Sequence, residues 1–199
     1  GFTYEFTVLE SATPNAFCLP GGKVAVYTGI LPLCQNEAGL AAVLGHEIAH
    51  AIADHGNERM SQGVLVQGGQ VLLAELLQQK GVSDSTINLT MAACGIGAQL
   101  GIMLPFSRSH ESEADRLGLD YMARAGYDPK EAVGFWQRFA ALDAGGQPSW
   151  LSTHPASAER AAALNAQMAS AQALYDAAPE KHGSGALVPQ AYRAAPAAK

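Results

Sequence analysis

From Thr3 to Leu9 aromatic or β-branched residues alternate with polar ones, and Lys23 to Thr28 repeats the alternation. A period of two puts every second side chain on one face of a strand. With Pro20-Gly21-Gly22 as a turn signal before the second run, the pattern predicts a small antiparallel sheet near the N-terminus. After the apolar turn Ile30 to Leu33 the period becomes helical. Asn36 can cap a helix that carries Leu40, Val43, Leu44 and Ile48 inward, and the scarcity of charge from Ala38 to Ala53 predicts that it is largely buried. Asp54-His55-Gly56 reads as its end, with Gly56 as the C-cap.

A second helical pattern spans Glu58 to Gln79, Gly81 to Asp84 breaks it, and Ser83 or Asp84 can start another helix towards Leu104. Met91 to Phe106 is the most apolar stretch. Gln99 and several glycines interrupt it, and it falls short of the about 20 apolar residues of a membrane span. It is predicted to form a buried hairpin or a lid over an active site, with contact to a membrane surface as the alternative. Further helices are predicted from Ser107 to Arg124 and, after the cap signal Asp128-Pro129-Lys130-Glu131, to about Leu142. Gly145-Gly146-Gln147-Pro148 and the loop Ser149 to Pro155 lead to an alanine-rich helix from about Ala156 to Ala177. The pattern predicts an α+β, mainly α-helical fold. Residues 1–178 form one domain in this reading, and the Ala, Pro and Gly-rich tail 179–199 is flexible or draped on the surface.

Composition changes this picture little. The 199 residues, 48% hydrophobic and 15% charged, suffice for a single core, and the net charge of −6 argues against nucleic acid as a partner. Cys18, Cys34 and Cys94 are too scattered for a disulfide framework or a four-thiolate zinc site, although a bond between Cys18 and Cys34 stays open. The chain opens on Gly1 without a charged and apolar leader, which is read as a removed targeting segment or a start inside a longer protein.

The first predicted helix carries Gly45-His46-Glu47-Ile48-Ala49-His50, an H-E-x-x-H sequence. Residues four apart lie one turn up and nearly in line, so His46 and His50 can aim both imidazoles at one metal. Glu47 is left beside it, where a carboxylate can take a proton from water. A catalytic zinc site needs a third protein ligand and keeps one position open. Glu111 is the candidate. Asp115, four residues on and on the same helix face, can accept the second N–H of a ligand histidine. The metzincin pattern would need Gly and His where Ala53 and Gly56 stand. His55 is one residue early and reads as structural or exposed, His110 would point about 100° away from Glu111, and His182 lies in the tail.

Asn15-Ala16-Phe17, Gly21-Gly22-Lys23-Val24, Thr28-Gly29, His46 to His50, Glu111 to Asp115 and Ser152-Thr153-His154-Pro155 occur in this order over roughly residues 1 to 165. In this the chain resembles the gluzincin metallopeptidases that include HtpX, the CAAX prenyl protease type 1, the mitochondrial inner-membrane stress protease and the bacterial periplasmic protease BepA. The resemblance implies a zincin-like fold and one zinc ion per chain held by His46, His50 and Glu111. It also implies Glu47 as general base and Asp115 behind the ligands. His154 and Arg160 match a pair placed to stabilise the oxyanion, and in some periplasmic members the loop histidine instead occupies the open zinc position as a latch. The residue-level alternative for His154 is a turn residue before Pro155. By the same resemblance the strand at Asn15, Ala16 and Phe17 would pair with an extended substrate. The chain departs from HtpX and the prenyl protease in lacking clear transmembrane helices, which points away from prenyl substrates.

The function expected from all this is zinc-dependent hydrolysis of peptide bonds in unfolded or misfolded proteins, in envelope quality control. The resemblance places it in the bacterial periplasm or attached to a membrane through a removed N-terminal segment. Two rivals stand beside it: a latent zinc protein acting as chaperone or assembly factor, blocked by His154, and a membrane-associated scaffold using Met91 to Phe106.

Overall fold

The computed structural model describes residues 3–19, 21–92, 106–142, 154 and 158–193. Cys94, most of the apolar stretch Met91 to Phe106, and the loop after residue 142 apart from His154 lie outside the described residues. Three short strands come first, β1 (Glu5–Leu9), β2 (Ala16–Leu19) and β3 (Lys23–Tyr27). The short helix α1 (Leu31–Cys34) leads into α2 (Glu37–Ile52) and α3 (His55–Gln79), and residues 84–92 are also helical. Then follow α4 (Arg108–Arg124), α5 (Lys130–Leu142) and α6 (Ala158–Ala177).

The sheet is mixed, not antiparallel, with strand order β1-β3-β2. Both alternating runs are strands, but they pair in parallel, Phe6 opposite Val24 and Val8 opposite Val26. The turn at Gly21 and Gly22, both with φ near 90°, instead joins β2 to β3 as an antiparallel hairpin. Before it, the chain leaving β1 crosses to the other edge of β3, held where Thr28 Oγ1 donates to Ser11 O and accepts from Ser11 N, both at 3.0 Å. β3 is therefore central, with Val24, Ala25 and Val26 buried, and β2 forms one edge.

Asn36 caps α2 as its residue type suggests, its Oδ1 accepting from Gly39 N at 2.8 Å. The other end differs from expectation. α2 stops at Ile52, Asp54 takes a left-handed conformation with φ 60°, and α3 begins at His55, so Gly56 lies in the first turn of the next helix instead of capping the last. Aspartate tolerates this region because its short polar side chain can bond locally, here accepting from Asn57 Nδ2 at 2.6 Å. Ser107 caps α4, accepting from His110 N, and Asp128 bonds to Lys130 N at the start of α5.

The core has two parts joined through Trp136. One gathers Ile30, Leu31, Cys34 and Val43 against Phe135 and Phe139, and the other packs Ala38 and Ala42 against Leu119, Met122, Ala123 and Leu164. α2 and α4 cross at a pair of glycines. A Cβ on Gly45 would lie 2.7 Å from Gly118 O, and one on Gly118 2.7 Å from His46 N, so only glycine lets the backbones come this close. Residues 184–188 run along the start of α2: Glu37 N donates to Ala186 O, Ala38 N to Ser184 O and Val188 N to Gln35 O. Two free N-terminal amides of α2 thus find acceptors.

Candidate metal centre

The glycine crossing sets α4 against the face of α2 that carries the histidines. His46 and His50, one turn apart on α2, meet Glu111 from the first turn of α4 and His154 from the segment before α6. One donor atom from each lies within 4.8 Å of the others. His46 Nε2 is 3.1 Å from His50 Nε2, 3.2 Å from His154 Nδ1 and 3.5 Å from Glu111 Oε2. Glu111 Oε1 is 3.2 Å from His50 Nε2 and 2.9 Å from His154 Nδ1. All four residues are buried, Glu111 completely.

These separations fit a metal ion. A tetrahedral zinc with bonds of about 2.0–2.1 Å keeps its ligand atoms about 3.3–3.4 Å apart, and imidazole nitrogens with a carboxylate are donors that it takes. Three ring nitrogens converging in a buried space need a cation or a proton between them. The residues expected as ligands, His46, His50 and Glu111, are thus brought together, and a His154 nitrogen lies in the same cluster.

Behind the cluster, His46 Nδ1 is 3.0 Å from Asp115 Oδ1. Arg160 donates to both Asp115 oxygens at 2.7 Å, reaches Glu111 Oε2 with Nη1 at 2.6 Å, and lies 4.2 Å above the Trp136 ring. Burial disfavours every charge here, and the partners decide the outcome. For His46 the Asp115 and Glu111 carboxylates outweigh burial and hold the pKa up at about 9. For His50 burial prevails and pushes it down to about 3, against the pull of Glu111. Burial would raise Glu111, but bonds from His154, His46 and His50 hold it far below the carboxylate range. Asp115 is likewise held low against burial by Arg160 and His46.

Glu47 is buried, with Oε1 3.5 Å from His154 Nε2. It lines a cleft of about 220 Å³ with Asn15, Ala16, Phe17 and Cys18 of the β2 edge, His50, Phe106, Arg59 and His154. Arg160 does not line the cleft; its guanidinium is engaged by Asp115 and Glu111. Cys18 and Cys34 are free thiols.

Several neighbours escaped the sequence reading. His55, read as structural or exposed, is buried, and its Nδ1 is 2.9 Å from His50 Nδ1. Phe106 stacks on His50 with ring centroids 4.0 Å apart, and Trp136 meets His46 edge-on at 5.3 Å. The amphipathic spacing of α5 puts Trp136 inward and was visible in the sequence; nothing local flags Phe106. His110 lies outside the cluster, with Nε2 3.0 Å from Glu58 Oε2.

Two imidazoles one turn apart on a buried helix and a carboxylate from a second helix form, with His154, a buried cluster able to hold a metal ion, beside a cleft lined by Glu47. The chain belongs to peptidase family M48, whose sequence profile matches residues 2–168. It is 42% identical over 160 residues to the mitochondrial metalloendopeptidase OMA1 of Schizosaccharomyces pombe, covering 79% of this chain and 44% of that protein. For OMA1 of Saccharomyces cerevisiae the identity is 35% over 184 residues, covering 88% of this chain and 50% of the relative. A bacterial relative, the beta-barrel assembly-enhancing protease of Yersinia pestis, is 32% identical over 164 residues, covering 76% of this chain and 32% of its own. The chain spans half or less of the length of these relatives.

Proposed function

We propose that this chain is a zinc-dependent endopeptidase of gluzincin type, with one zinc held by His46, His50 and Glu111. The observation that carries the reading is the convergence of those donor atoms beside a cleft on which Glu47 opens. Bound zinc supplies a Lewis acid that acidifies water and polarises a carbonyl. Glu47 takes the proton of the attacking water and returns it to the leaving amine. Asp115 orients His46, and Arg160 braces Asp115 and Glu111. His154, on the cleft, helps hold the developing oxyanion, with Arg160 contributing its charge from behind. The β2 edge at Asn15, Ala16 and Phe17 has no strand partner on its cleft side among the described residues, which suits pairing with an extended, sequence-tolerant substrate.

Unfolded or misfolded proteins are the substrate class that this open edge suits. Work in the bacterial envelope, in the periplasm or at its membrane, fits the Yersinia relative's name. No helix among the described residues is long and apolar enough to cross a membrane. Peripheral contact with one finds support in the exposed Val64, Leu65, Val71 and Leu72 of α3. The test is Glu47→Gln, assayed with casein and by metal analysis. The variant is expected to keep one zinc per chain and lose hydrolysis by about 10²–10⁴-fold, as chelation does in the parent. Full activity in Glu47→Gln would sink the mechanism.

A second reading, a latent zinc protein acting as chaperone or assembly factor, is favoured by one observation. His154 Nδ1 sits among the donor atoms, 2.9 Å from Glu111 Oε1 and 3.2 Å from His46 Nε2. A latch predicts four protein ligands by X-ray absorption and a rise in proteolysis in His154→Ala. An oxyanion role predicts three ligands and a fall.

A further inference from the structure

We propose that His55 is a positioning residue for the metal centre: its ring accepts the Nδ1–H of His50 and so decides which nitrogen of that ligand faces the metal. The inference rests on the metal-centre reading above.

On an unbroken helix residue 55 would stand about 140° around the axis from residue 50, pointing elsewhere. The chain does not continue. α2 ends at Ile52, Asp54 turns with φ 60°, and α3 starts at His55, which brings this ring back beside His50 with the two Nδ1 atoms 2.9 Å apart. Both rings are buried, 2% and 4% exposed, and Phe106 lies flat against His50. An N–H on His50 Nδ1 therefore has His55 as its acceptor, and losing it would leave a buried donor unsatisfied.

The tautomers follow from the contacts. His50 Nε2 faces His46 and Glu111, so as a ligand it must offer its lone pair there and carry its proton on Nδ1. His55 then accepts at Nδ1 and carries its own proton on Nε2, which faces Glu113 Oε2 at 3.4 Å. His110 stacks on His55, centroids 4.3 Å apart and planes 17° from parallel, and is itself tied to Glu58. The two α2 histidines are thus backed differently, His46 by the carboxylate of Asp115 and His50 by a neutral imidazole. The second arrangement fixes a ring without adding negative charge to a site that already holds Glu111 and Asp115.

The test compares His55→Leu, which fills the space without an acceptor, with His55→Asn, whose Oδ1 can take the place of Nδ1. Zinc affinity is measured by chelator competition on the purified chain, alongside the unfolding midpoint of the metal-free protein. The proposal expects His55→Leu to bind zinc about 10–100-fold more weakly and His55→Asn to recover most of that loss. Parent-like affinity in His55→Leu overturns it. Equal losses in both variants also overturn it, since they would show that the ring only fills space. Absence of zinc binding by the parent would instead sink the metal-centre reading itself.

Discussion

Cys34 shows how burial sets the behaviour of a group. It is the fully buried last residue of α1, and burial pushes its thiol up to about 12, slightly opposed by Arg138. The folded state therefore keeps the proton over a range where the unfolded chain, whose thiol titrates near its ordinary value of 9.0, has lost it. Stability from this source is complete below pH 9 and is lost as pH rises from there towards 12. Urea unfolding at pH 8 and pH 10 is expected to give a fall in stability that is shallower in Cys34→Ala, and Cys34 in the folded protein is expected to resist thiol reagents at neutral pH. At the metal centre, legibility followed locality. His46, Glu47 and His50 could be read because their geometry depends only on helix pitch, and Glu111 with Asp115 because they repeat the same four-residue step. His55 could not, because its place depends on a break at Asp54 that an aspartate permits but does not announce.

At the scale of elements, the spacing between α2 and α4 is the sensitive quantity, and Gly45 with Gly118 sets it. A methyl group on Gly118 would meet the backbone of His46 and Gly45 at 2.7–2.8 Å, with no flexible side chain to yield. Gly118→Ala is expected to cost about 1–3 kcal/mol and to weaken zinc binding, because parting the helices carries His46 away from Asp115. Gly68 in α3 has nothing within 4 Å of its notional Cβ, so Gly68→Ala is expected to stabilise by up to about 1 kcal/mol without touching the metal. Thermal melting and chelator competition on the pair separate crowding from helix propensity. Helix positions were largely legible, since caps such as Asn36, Ser107 and Asp128 state their starts chemically. Strand pairing was less so: the runs at Glu5–Leu9 and Lys23–Tyr27 declare themselves, but their parallel partnership depends on where the intervening chain crosses.

Across the whole molecule, residues 184–188 and the start of α2 hold each other. Ending the chain after residue 179 would strip acceptors from Glu37 N and Ala38 N and expose the core around Val188, which is 6% exposed. This is expected to cost about 2–4 kcal/mol, read as a lower unfolding midpoint in urea, with zinc still bound under native conditions. The sequence could not show this partnership, because the link is made by backbone groups, which carry no residue signature. It also bears on how the molecule is made. The amides at 37–38 and their acceptors at 184–186 stand about 150 residues apart, a separation that delays closure during folding. A ribosome delivers the H-E-x-x-H helix early and its partners Glu111, His154 and the closing segment late. A nascent chain thus carries its H-E-x-x-H helix without the partners of its cluster until nearly all of these residues have emerged, and a half-made copy lacks the assembled group of His46, His50, Glu111 and His154.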